Sequence, residues 1–323
     1  MTESRPLLPV IAGPTASGKT GLAVELALRL NGEVVSADSM QVYDTLQIGT
    51  ARPRPEELRG VPHHLLGFLP LSESYSVARY AEDARRAIAE IRERGRLPLL
   101  CGGTGLYIDA VVDNLQFAGE GRDSVLREEL NRRADEEGTA PLLEELRRAD
   151  PETAGRLLPA DRGRIIRALE LYRTTGMTMS EQLRFSRSVP PPFETRILVL
   201  DSRDRAFLYD RINRRVDGML AEGLLAEAEQ ALAAPTAPTA LQAIGYKELA
   251  PYFTGTLSLP EAVENLKRAT RRYAKRQLSW FRRRKDARFL YIDEYASPDA
   301  LADAAENALL SQPFQLSPAS DTR

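Results

Sequence analysis

The sequence predicts an α/β protein whose parallel sheet is interrupted by an all-helical segment. Apolar runs of strand length alternate with helix-period segments near the start of the chain, which is typical of parallel βαβ units. Residues 117–193 instead show helical periodicity without a strand candidate, and a strand pattern returns after them. We therefore interpret 117–193 as a helical insertion in a core formed by 1–116 and 194–311, with 312–323 as a disordered tail.

The first half of the sheet follows from three apolar runs. Residues 7–12 (LLPVIA) predict a buried strand, and a glycine-rich turn separates this strand from a helix over about 19–30. Residues 33–39 and 97–101 predict two more strands, and the helical pattern between them covers 77–94. Because helices cross over between parallel strands, we expect functional side chains at the carboxyl ends of these strands.

The second half of the sheet follows the insertion. Residues 195–201 (TRILVLD) restore the strand pattern, and 288–293 (RFLYID) predict a late strand. Between these two runs, helical periodicity is present near 203–221, 224–233 and 260–285. The pattern on both sides of the insertion therefore indicates one α/β domain.

The composition is that of a folded globular protein. Hydrophobic residues make up 43% of the 323 residues and charged residues 28%, which excludes disordered, collagen-like and coiled-coil classes for most of the chain. The single cysteine, Cys101, excludes an internal disulfide and a cysteine-based metal site. No apolar run approaches the about 18 residues of a membrane helix, and the first apolar run is too short for a secretory signal. We expect a cytoplasmic monomer without membrane contact.

One segment concentrates positive charge. The formal net charge is −2, yet residues 267–285 contain ten Lys or Arg among nineteen residues and no acidic residue. This pattern favours a localised contact with nucleic acid, because like charges on one helix face repel when acidic partners are missing. The alternative is a solvated helix face, whose aromatic residues anchor the helix to the core instead of stacking on bases.

The turn after the first strand contains a phosphate-binding motif. It matches GxxxxGK[ST] with the residues Gly13, Pro14, Thr15, Ala16, Ser17, Gly18, Lys19 and Thr20. In this motif backbone N–H groups surround phosphate oxygens at a helix N-terminus, the Lys19 ammonium neutralises phosphate charge, and the Thr20 hydroxyl is placed to hold Mg²⁺. The motif lies between an apolar strand and a helix, which predicts a P-loop NTPase-like core. It leaves open whether the phosphates belong to a nucleotide.

Two further predicted strands end in polar residues. Asp38 ends the second strand, where it can act as a general base or support a metal ion, or merely cap the next segment. Thr104 follows the strand at 97–101, where a P-loop NTPase commonly has an acidic Walker B residue. The missing acid counts against a hydrolytic NTPase. The Thr104 hydroxyl can instead donate to a leaving phosphate oxygen.

Other polar residues support weaker interpretations. Arg211, Arg214 and Arg215 fall on one predicted helix, where one of them could clamp phosphate and the alternative is a surface position. His63 and His64 have no metal-ligand spacing to other His or Cys residues, so we interpret them as structural.

Six motifs in a fixed order resemble one known family. They are AGPTASGKT (12–20), SADSMQVYDTLQIGTARP (36–53), VPHHLL (61–66), GGTGLY (102–107), QAIGYKEL (242–249) and KRQLSWFR (275–282). Together they resemble bacterial tRNA dimethylallyltransferases, the tRNA isopentenyltransferase family, over roughly 7–295. The departures are Asp44-Thr45 in place of a basic residue and glycine, Arg52 in place of Lys, and Ser279 in place of Thr.

The resemblance implies prenyl transfer to tRNA. In this family a dimethylallyl group passes from dimethylallyl diphosphate to N6 of adenosine 37, beside the anticodon, in tRNAs that read codons beginning with U. The products are N6-(dimethylallyl)adenosine and diphosphate, so the phosphate loop would hold a leaving group rather than ATP. By the resemblance, Asp38 accepts the amine proton, Thr104 bonds the bridging oxygen and Arg215 clamps the phosphates. Lys19, Thr20 and Mg²⁺ would stabilise the charge of the departing diphosphate.

The resemblance also implies tRNA contacts along four segments. These are Asp38, Ser39, Met40 and Gln41 with Thr104; Arg162, Gly163, Arg164, Ile165 and Ile166 with Arg127 in the insertion; Gln242, Ala243, Ile244, Gly245, Tyr246 and Lys247; and Lys275, Arg276, Gln277, Trp280 and Arg282. The insertion would be a lobe that closes on the anticodon stem. The target base would leave its stack to reach the site.

Three other functions compete with this one. A small-molecule P-loop kinase would use ATP in the loop and Asp38 to activate a hydroxyl, but it does not explain the basic segment. A relative that prenylates free adenine nucleotides does not explain the long helical insertion. A non-catalytic RNA-binding protein would have no use for an intact phosphate loop beside Asp38 and Thr104.

Overall fold

The computed structural model describes residues 5–117, 123–237 and 239–311. They fold as two compact units. The large unit comprises Met1–Val111 and Pro192–Arg323, and the small unit comprises Val112–Pro191. No helix in these described stretches is long and apolar enough to cross a membrane.

The insertion predicted from the sequence has a counterpart in this division. The predicted range 117–193 and the small unit, Val112–Pro191, share most of their residues. The tail predicted over 312–323 lies outside the described residues.

The described residues of the large unit form a parallel six-stranded sheet. Its strands are β1 (Leu7–Ala12), β2 (Gly32–Ser36), β3 (His63–His64), β4 (Leu97–Gly102), β5 (Glu194–Asp201) and β6 (Ala287–Tyr291). Their order across the sheet is β3-β2-β4-β1-β5-β6, and every neighbouring pair is parallel. The predicted α/β fold with a parallel sheet is therefore confirmed. All strands end at the same side of the sheet, which we call the carboxyl edge.

Two differences from the predicted strands have local causes. β2 stops at Ser36, before the predicted end, because the Asp38 carboxylate accepts hydrogen bonds from the N–H groups of Met40 and Gln41 and turns the chain. β3 contains only His63 and His64, too short a run for strand periodicity to reveal.

The helices lie mostly where periodicity predicts them. In chain order they are α1 (Lys19–Arg29), α2 (Pro55–Leu58), α3 (Val77–Glu93), α4 (Gly105–Val112), α5 (Ser124–Glu136), α6 (Ala140–Ala149), α7 (Pro151–Ala154), α8 (Arg162–Thr175), α9 (Met179–Ser186), α10 (Arg205–Ala221), α11 (Leu224–Ala233), α12 (Tyr246–Phe253), α13 (Leu259–Phe281) and α14 (Pro298–Leu310). The basic helix α13 ends at Phe281, short of the predicted 285. The prediction omits α12, which contains Pro251, and the alanine-rich α14.

One apolar layer fixes the centre of the sheet. Ile11 of β1, Leu99 of β4 and Leu198 of β5 are fully buried in a cluster with Leu26 of α1 and Leu309 of α14. Strands covered in this way are continuous apolar runs, which is why β1, β4 and β5 are visible in the sequence. The layer fixes the strands from which the functional loops extend.

The small unit has a core of its own. Leu130 of α5, Leu142 and Leu146 of α6, and Ile165 and Leu169 of α8 are buried together. The unit is therefore a helical bundle held by apolar packing.

Candidate functional site at the carboxyl edge

The phosphate loop connects β1 to the N-terminus of α1. Gly13 lies against β5, where a Cβ atom would stand 2.9 Å from the Leu200 carbonyl oxygen. Gly18 precedes α1 with a φ of 88°, a left-handed conformation that side chains disfavour. The Ser17 hydroxyl is buried, and no hydrogen-bond partner for it occurs among the described residues. The loop thus brings backbone N–H groups and a helix dipole to one point, an arrangement that favours an anion.

Lys19 is the cation built into this loop. Its Nζ lies 3.4 Å from the Pro14 carbonyl oxygen. Burial lowers the pKa of Lys19, and the nearby Asp38 carboxylate opposes that shift. A bound anion would offset the free-energy cost of desolvating the ammonium group. The Lys19 side chain is therefore suited to bind a negatively charged ligand.

Two arginines of α10 approach the same region. Arg211 Nε donates to the Ala16 carbonyl oxygen of the phosphate loop at 2.8 Å. Arg215 Nη2 lies 3.4 Å from the Ala51 carbonyl oxygen, and burial lowers the pKa of Arg215 while Asp38 opposes the shift. Because an arginine pKa starts above about 12, the guanidinium remains a cation. The sequence prediction selected Arg215 and not Arg211, although a spacing of four residues puts both on one helix face.

Asp38 and Thr104 belong to one hydrogen-bonded turn. Asp38 Oδ1 accepts from Met40 N at 2.9 Å and from Gln41 N at 3.3 Å, so Oδ2 makes neither of these bonds. Thr104 Oγ1 accepts from Ser39 N at 3.0 Å and lies 3.3 Å from Ser39 Oγ. The loops after β2 and β4 are thereby joined beside the Asp38 carboxylate.

Lys19, Asp38, Arg211 and Arg215 line one cavity of about 1420 Å³ in the large unit. Predicted site residues that line the cavity are Thr15, Ala16, Gly18, Lys19, Thr20, Asp38, Ser39, Met40, Gln41, Arg215, Gln242, Ala243, Ile244, Gly245, Lys247, Arg276 and Gln277. The phosphate loop, Asp38 and Arg215 thus share one space. The predicted site residues of the large unit that are not among the lining residues are Gly13, Pro14, Ser17, Thr104, Tyr246, Lys275, Trp280 and Arg282.

Glu227 of α11 organises a wall of the cavity. Its two carboxylate oxygens accept hydrogen bonds from the N–H groups of Gln47, Ile48 and Gly49 at 2.8–2.9 Å and from the Tyr246 hydroxyl at 2.7 Å. Four donors on one carboxylate hold the segment 47–49 firmly. Glu227 is not visible as a site residue in the sequence, because a glutamate in a helical pattern gives no local signal of this role.

The segment 242–247 contributes to the cavity unevenly. Gln242 and Lys247 are exposed, whereas Ala243 and Tyr246 are buried. Tyr246 also occupies the space beside Gly49, where a Cβ atom would stand 2.6 Å from the tyrosine oxygen. The Tyr246 hydroxyl therefore already has a partner within the protein, the Glu227 carboxylate.

The residues taken from KRQLSWFR divide into two groups. Lys275 and Arg276 are exposed, as a nucleic-acid contact requires. Gln277 is buried, the Trp280 indole donates to Asp109 at 2.8 Å, and Arg282 pairs at 2.8 Å with the buried carboxylate of Asp201. These last three side chains therefore already make contacts within the protein, and a tRNA contact through any of them would have to coexist with those contacts or replace them.

The predicted residues of the small unit also differ in accessibility. Arg164 and Gly163 are exposed at the start of α8. Arg162 pairs with Asp135, and Arg127 pairs with the buried Glu170 at 2.9 Å. The side chains of Ile165 and Ile166 are buried in the core of this unit, so only their backbone remains for the implied contact.

The metal-binding capacity of the site is limited. The described residues contain no cluster of three or more His, Cys, Asp or Glu able to hold a metal ion. Thr20 offers a hydroxyl at the first turn of α1, on the cavity that Asp38 also lines. Mg²⁺ suits such a site, because it commonly takes few protein oxygens and completes its shell with phosphate oxygens and water.

Comparisons with known proteins show which proteins this chain is similar to. The family model described as IPP transferase matches residues 41–284. The tRNA dimethylallyltransferase of Pelotomaculum thermopropionicum is 45% identical over 304 residues, which cover 93% of this chain and 95% of that protein. The enzyme of the same name from Bacillus licheniformis is 47% identical over 287 residues, covering 88% and 91%.

Solved structures show the same relationship. The tRNA isopentenylpyrophosphate transferase of Bacillus halodurans is similar with a TM-score of 0.69 and 41% identity, over 95% of this chain and 97% of that one. A eukaryotic dimethylallyltransferase, described as acting on tRNA, is similar with a TM-score of 0.79 and 31% identity, over 94% and 78%.

Proposed function

Because this chain belongs to the IPP transferase family, the tRNA dimethylallyltransferases, we propose that it transfers a dimethylallyl group to N6 of adenosine 37 in tRNAs that read codons beginning with U. The donor is dimethylallyl diphosphate. The family predicted from the six motifs is confirmed by the matches along nearly the whole chain. The observation that supports the reaction most directly is that the phosphate loop and Asp38 line one cavity.

The donor's diphosphate belongs in the phosphate loop. The loop presents N–H groups at the N-terminus of α1, and Lys19, Arg211 and Arg215 supply positive charge around it. As the bond between the allylic carbon and the bridging oxygen breaks, charge builds on the diphosphate. Cations fixed in advance stabilise that charge without reorganising. The Thr20 hydroxyl would hold Mg²⁺, which would supply further Lewis-acid stabilisation of the diphosphate charge.

Asp38 acts on the acceptor. An exocyclic adenine amine is a poor nucleophile, because its lone pair is delocalised into the ring. As N6 bonds to the allylic carbon, Asp38 accepts the amine proton, and diphosphate leaves with the electrons of the broken carbon–oxygen bond. The hydrogen bonds from Met40 and Gln41 hold Oδ1, so the carboxylate keeps one orientation.

The test offers labelled dimethylallyl diphosphate and Mg²⁺ to the purified protein. One reaction contains unmodified tRNA, a second contains the same tRNA with adenosine 37 replaced by guanosine, and a third contains AMP. We expect label only in the first reaction, at N6 of adenosine 37.

Each other outcome selects a competing function. Label in AMP indicates an enzyme that prenylates free nucleotides. Absence of transfer together with ATP consumption on small alcohols indicates a kinase. Equal label in both tRNAs contradicts the proposed acceptor position.

A further inference from the structure

Gln277 joins two loops of the site from the basic helix α13. Thr15 N of the phosphate loop donates to Gln277 Oε1 at 2.9 Å, and Gln277 Nε2 donates to the Gly103 carbonyl oxygen at 2.9 Å. We propose that Gln277 is a positioning residue, which holds the phosphate loop and the Thr104 loop at the separation that the donor's diphosphate requires. The inference deepens the proposed function and rests on it. We call the contact Thr15–Gln277–Gly103 the Gln277 bridge.

The Gln277 bridge needs an amide because its two ends have opposite polarity. The oxygen faces an N–H donor, and the nitrogen faces a carbonyl acceptor. A carboxylate would serve Thr15 but would repel the Gly103 oxygen, and an aliphatic side chain would serve neither. The side chain is only 5% exposed, so water does not readily replace a lost partner.

Close packing surrounds the Gln277 bridge. A Cβ atom on Gly103 would stand 2.2 Å from Gln277 Nε2 and 3.3 Å from the Gly13 carbonyl oxygen. The amide of Gln277 thus occupies the space that a side chain at position 103 would need. A side chain at this position would displace the amide and disturb the bridge.

A second contact of α13 lies on the other side of Thr104. A Cβ atom on Gly105 would stand 2.2 Å from Trp280 Cδ1, and the Trp280 indole donates to Asp109 of α4 at 2.8 Å. Gln277 and Trp280, three residues apart on one helix face, thus hold the glycines that flank Thr104. The position of the Thr104 hydroxyl is consequently tied to α13 and, through Gln277, to the phosphate loop.

This arrangement assigns a specific part of the reaction to Gln277. The donor's diphosphate would contact the phosphate loop, and the bridging oxygen would contact Thr104. If the two loops drift apart, both contacts cannot form together in the transition state. Loss of the bridge should therefore weaken the binding of dimethylallyl diphosphate and leave the binding of tRNA to the exposed surface unaffected.

The experiment compares Gln277→Leu and Gln277→Glu with wild type, using Gln230→Glu on the exposed face of α11 as the matched control. Steady-state transfer gives kcat and KM for dimethylallyl diphosphate and for tRNA, calorimetry gives the affinity for inorganic diphosphate with Mg²⁺, and circular dichroism gives Tm. For Gln277→Leu we expect the donor KM and the diphosphate Kd to rise about tenfold or more and kcat to fall. The tRNA KM should stay within about twofold.

The glutamate variant provides a pH readout. Burial raises the pKa of an introduced carboxyl group, and its protonated form regains a donor for Gly103. The rate of Gln277→Glu relative to wild type should therefore increase as the pH falls from about 8 to about 6. A purely structural loss would lower kcat alone, without this pH trend.

Two results overturn the positioning role. One is an unchanged donor KM and diphosphate affinity in both variants. The other is a fall in kcat alone that tracks a fall in Tm. If wild type binds diphosphate but transfers nothing to tRNA, the proposed function fails, and the diphosphate affinities of the variants still decide whether Gln277 shapes the loop.

Discussion

Asp38 illustrates how one side chain combines a structural contact with a chemical one. Its Oδ1 atom ends β2 by accepting two backbone hydrogen bonds, while Lys19 and Arg215 lie near enough for Asp38 to influence the pKa of each. An asparagine keeps an oxygen for the backbone contacts and loses the proton acceptor. The substitution Asp38→Asn therefore separates the two roles.

We predict that Asp38→Asn lowers kcat by about 10²-fold or more, the usual contribution of a general base, and leaves tRNA binding within about twofold of wild type. Single-turnover transfer and filter binding measure the two quantities. Thr50→Ser, on the same cavity, serves as the control for a conservative change. Transfer at the wild-type rate would exclude Asp38 as the proton acceptor.

At the scale of one element, α13 has two faces with different partners. Lys267 pairs with Asp217 of α10, and just after the helix Arg282 pairs with Asp201 and Arg284 with Asp109. The acidic partners missing from the local sequence are thus supplied by other elements. In the described residues, the exposed Arg268, Arg272, Lys275 and Arg276 have no ion-pair partner, and their spacing puts them on one helix face.

This division predicts which basic residues bind RNA. Replacing Arg272 and Lys275 together with Ala should reduce the slope of log Kd for tRNA against log salt by about two, since each removed phosphate contact lowers it by about one. Tm should not change, because neither side chain pairs with an acidic group in the described part of the protein. Titrations at several salt concentrations measure the slope. The control is Arg92→Ala on the exposed face of α3. An unaltered slope in the double variant would show that this face of α13 contacts solvent and not RNA.

At the scale of the whole molecule, the carboxyl ends and the amino ends of the strands differ in their polar side chains. The carboxyl edge holds the site, whereas Glu33 lies near the amino end of β2, buried and hydrogen-bonded to Arg94 and His64. The Arg94 hydrogen bonds, with a further contribution from His64, lower the pKa of Glu33 against the opposing effect of burial. Stability from this group is therefore complete above the pKa of the unfolded chain and is lost as the pH falls through the lower folded pKa.

We predict that Glu33→Gln lowers the free energy of unfolding by about 1.5 kcal/mol at neutral pH, with kcat unchanged. The difference from wild type should shrink in acid, where the wild-type carboxylate also becomes protonated. Urea denaturation at several pH values measures it, with Glu90→Gln on the exposed face of α3 as the control. A constant difference at all pH values would mean that the charge of Glu33 contributes nothing.

The features that the sequence predicts are those with a local cause. Strand and helix periodicity located β1, β4, β5 and most helices, and the glycine spacing located the turn between β1 and α1. Gln277 contacts Thr15 from 262 positions away, and Glu227 contacts residues 47–49 from about 180 positions away. No periodicity reports contacts of this range, so these contacts became visible only in the folded chain. The motif KRQLSWFR did mark Gln277, but as an implied tRNA contact.

Trp280 gives the protein an internal optical probe. It is the only tryptophan in the chain, and its ring lies against Gly105, the residue after Thr104. A change in the Thr104 loop alters the surroundings of this ring and hence its fluorescence. Donor binding to the unlabelled protein should therefore be observable in a stopped-flow instrument, because all of the tryptophan emission originates from one position beside the Thr104 loop.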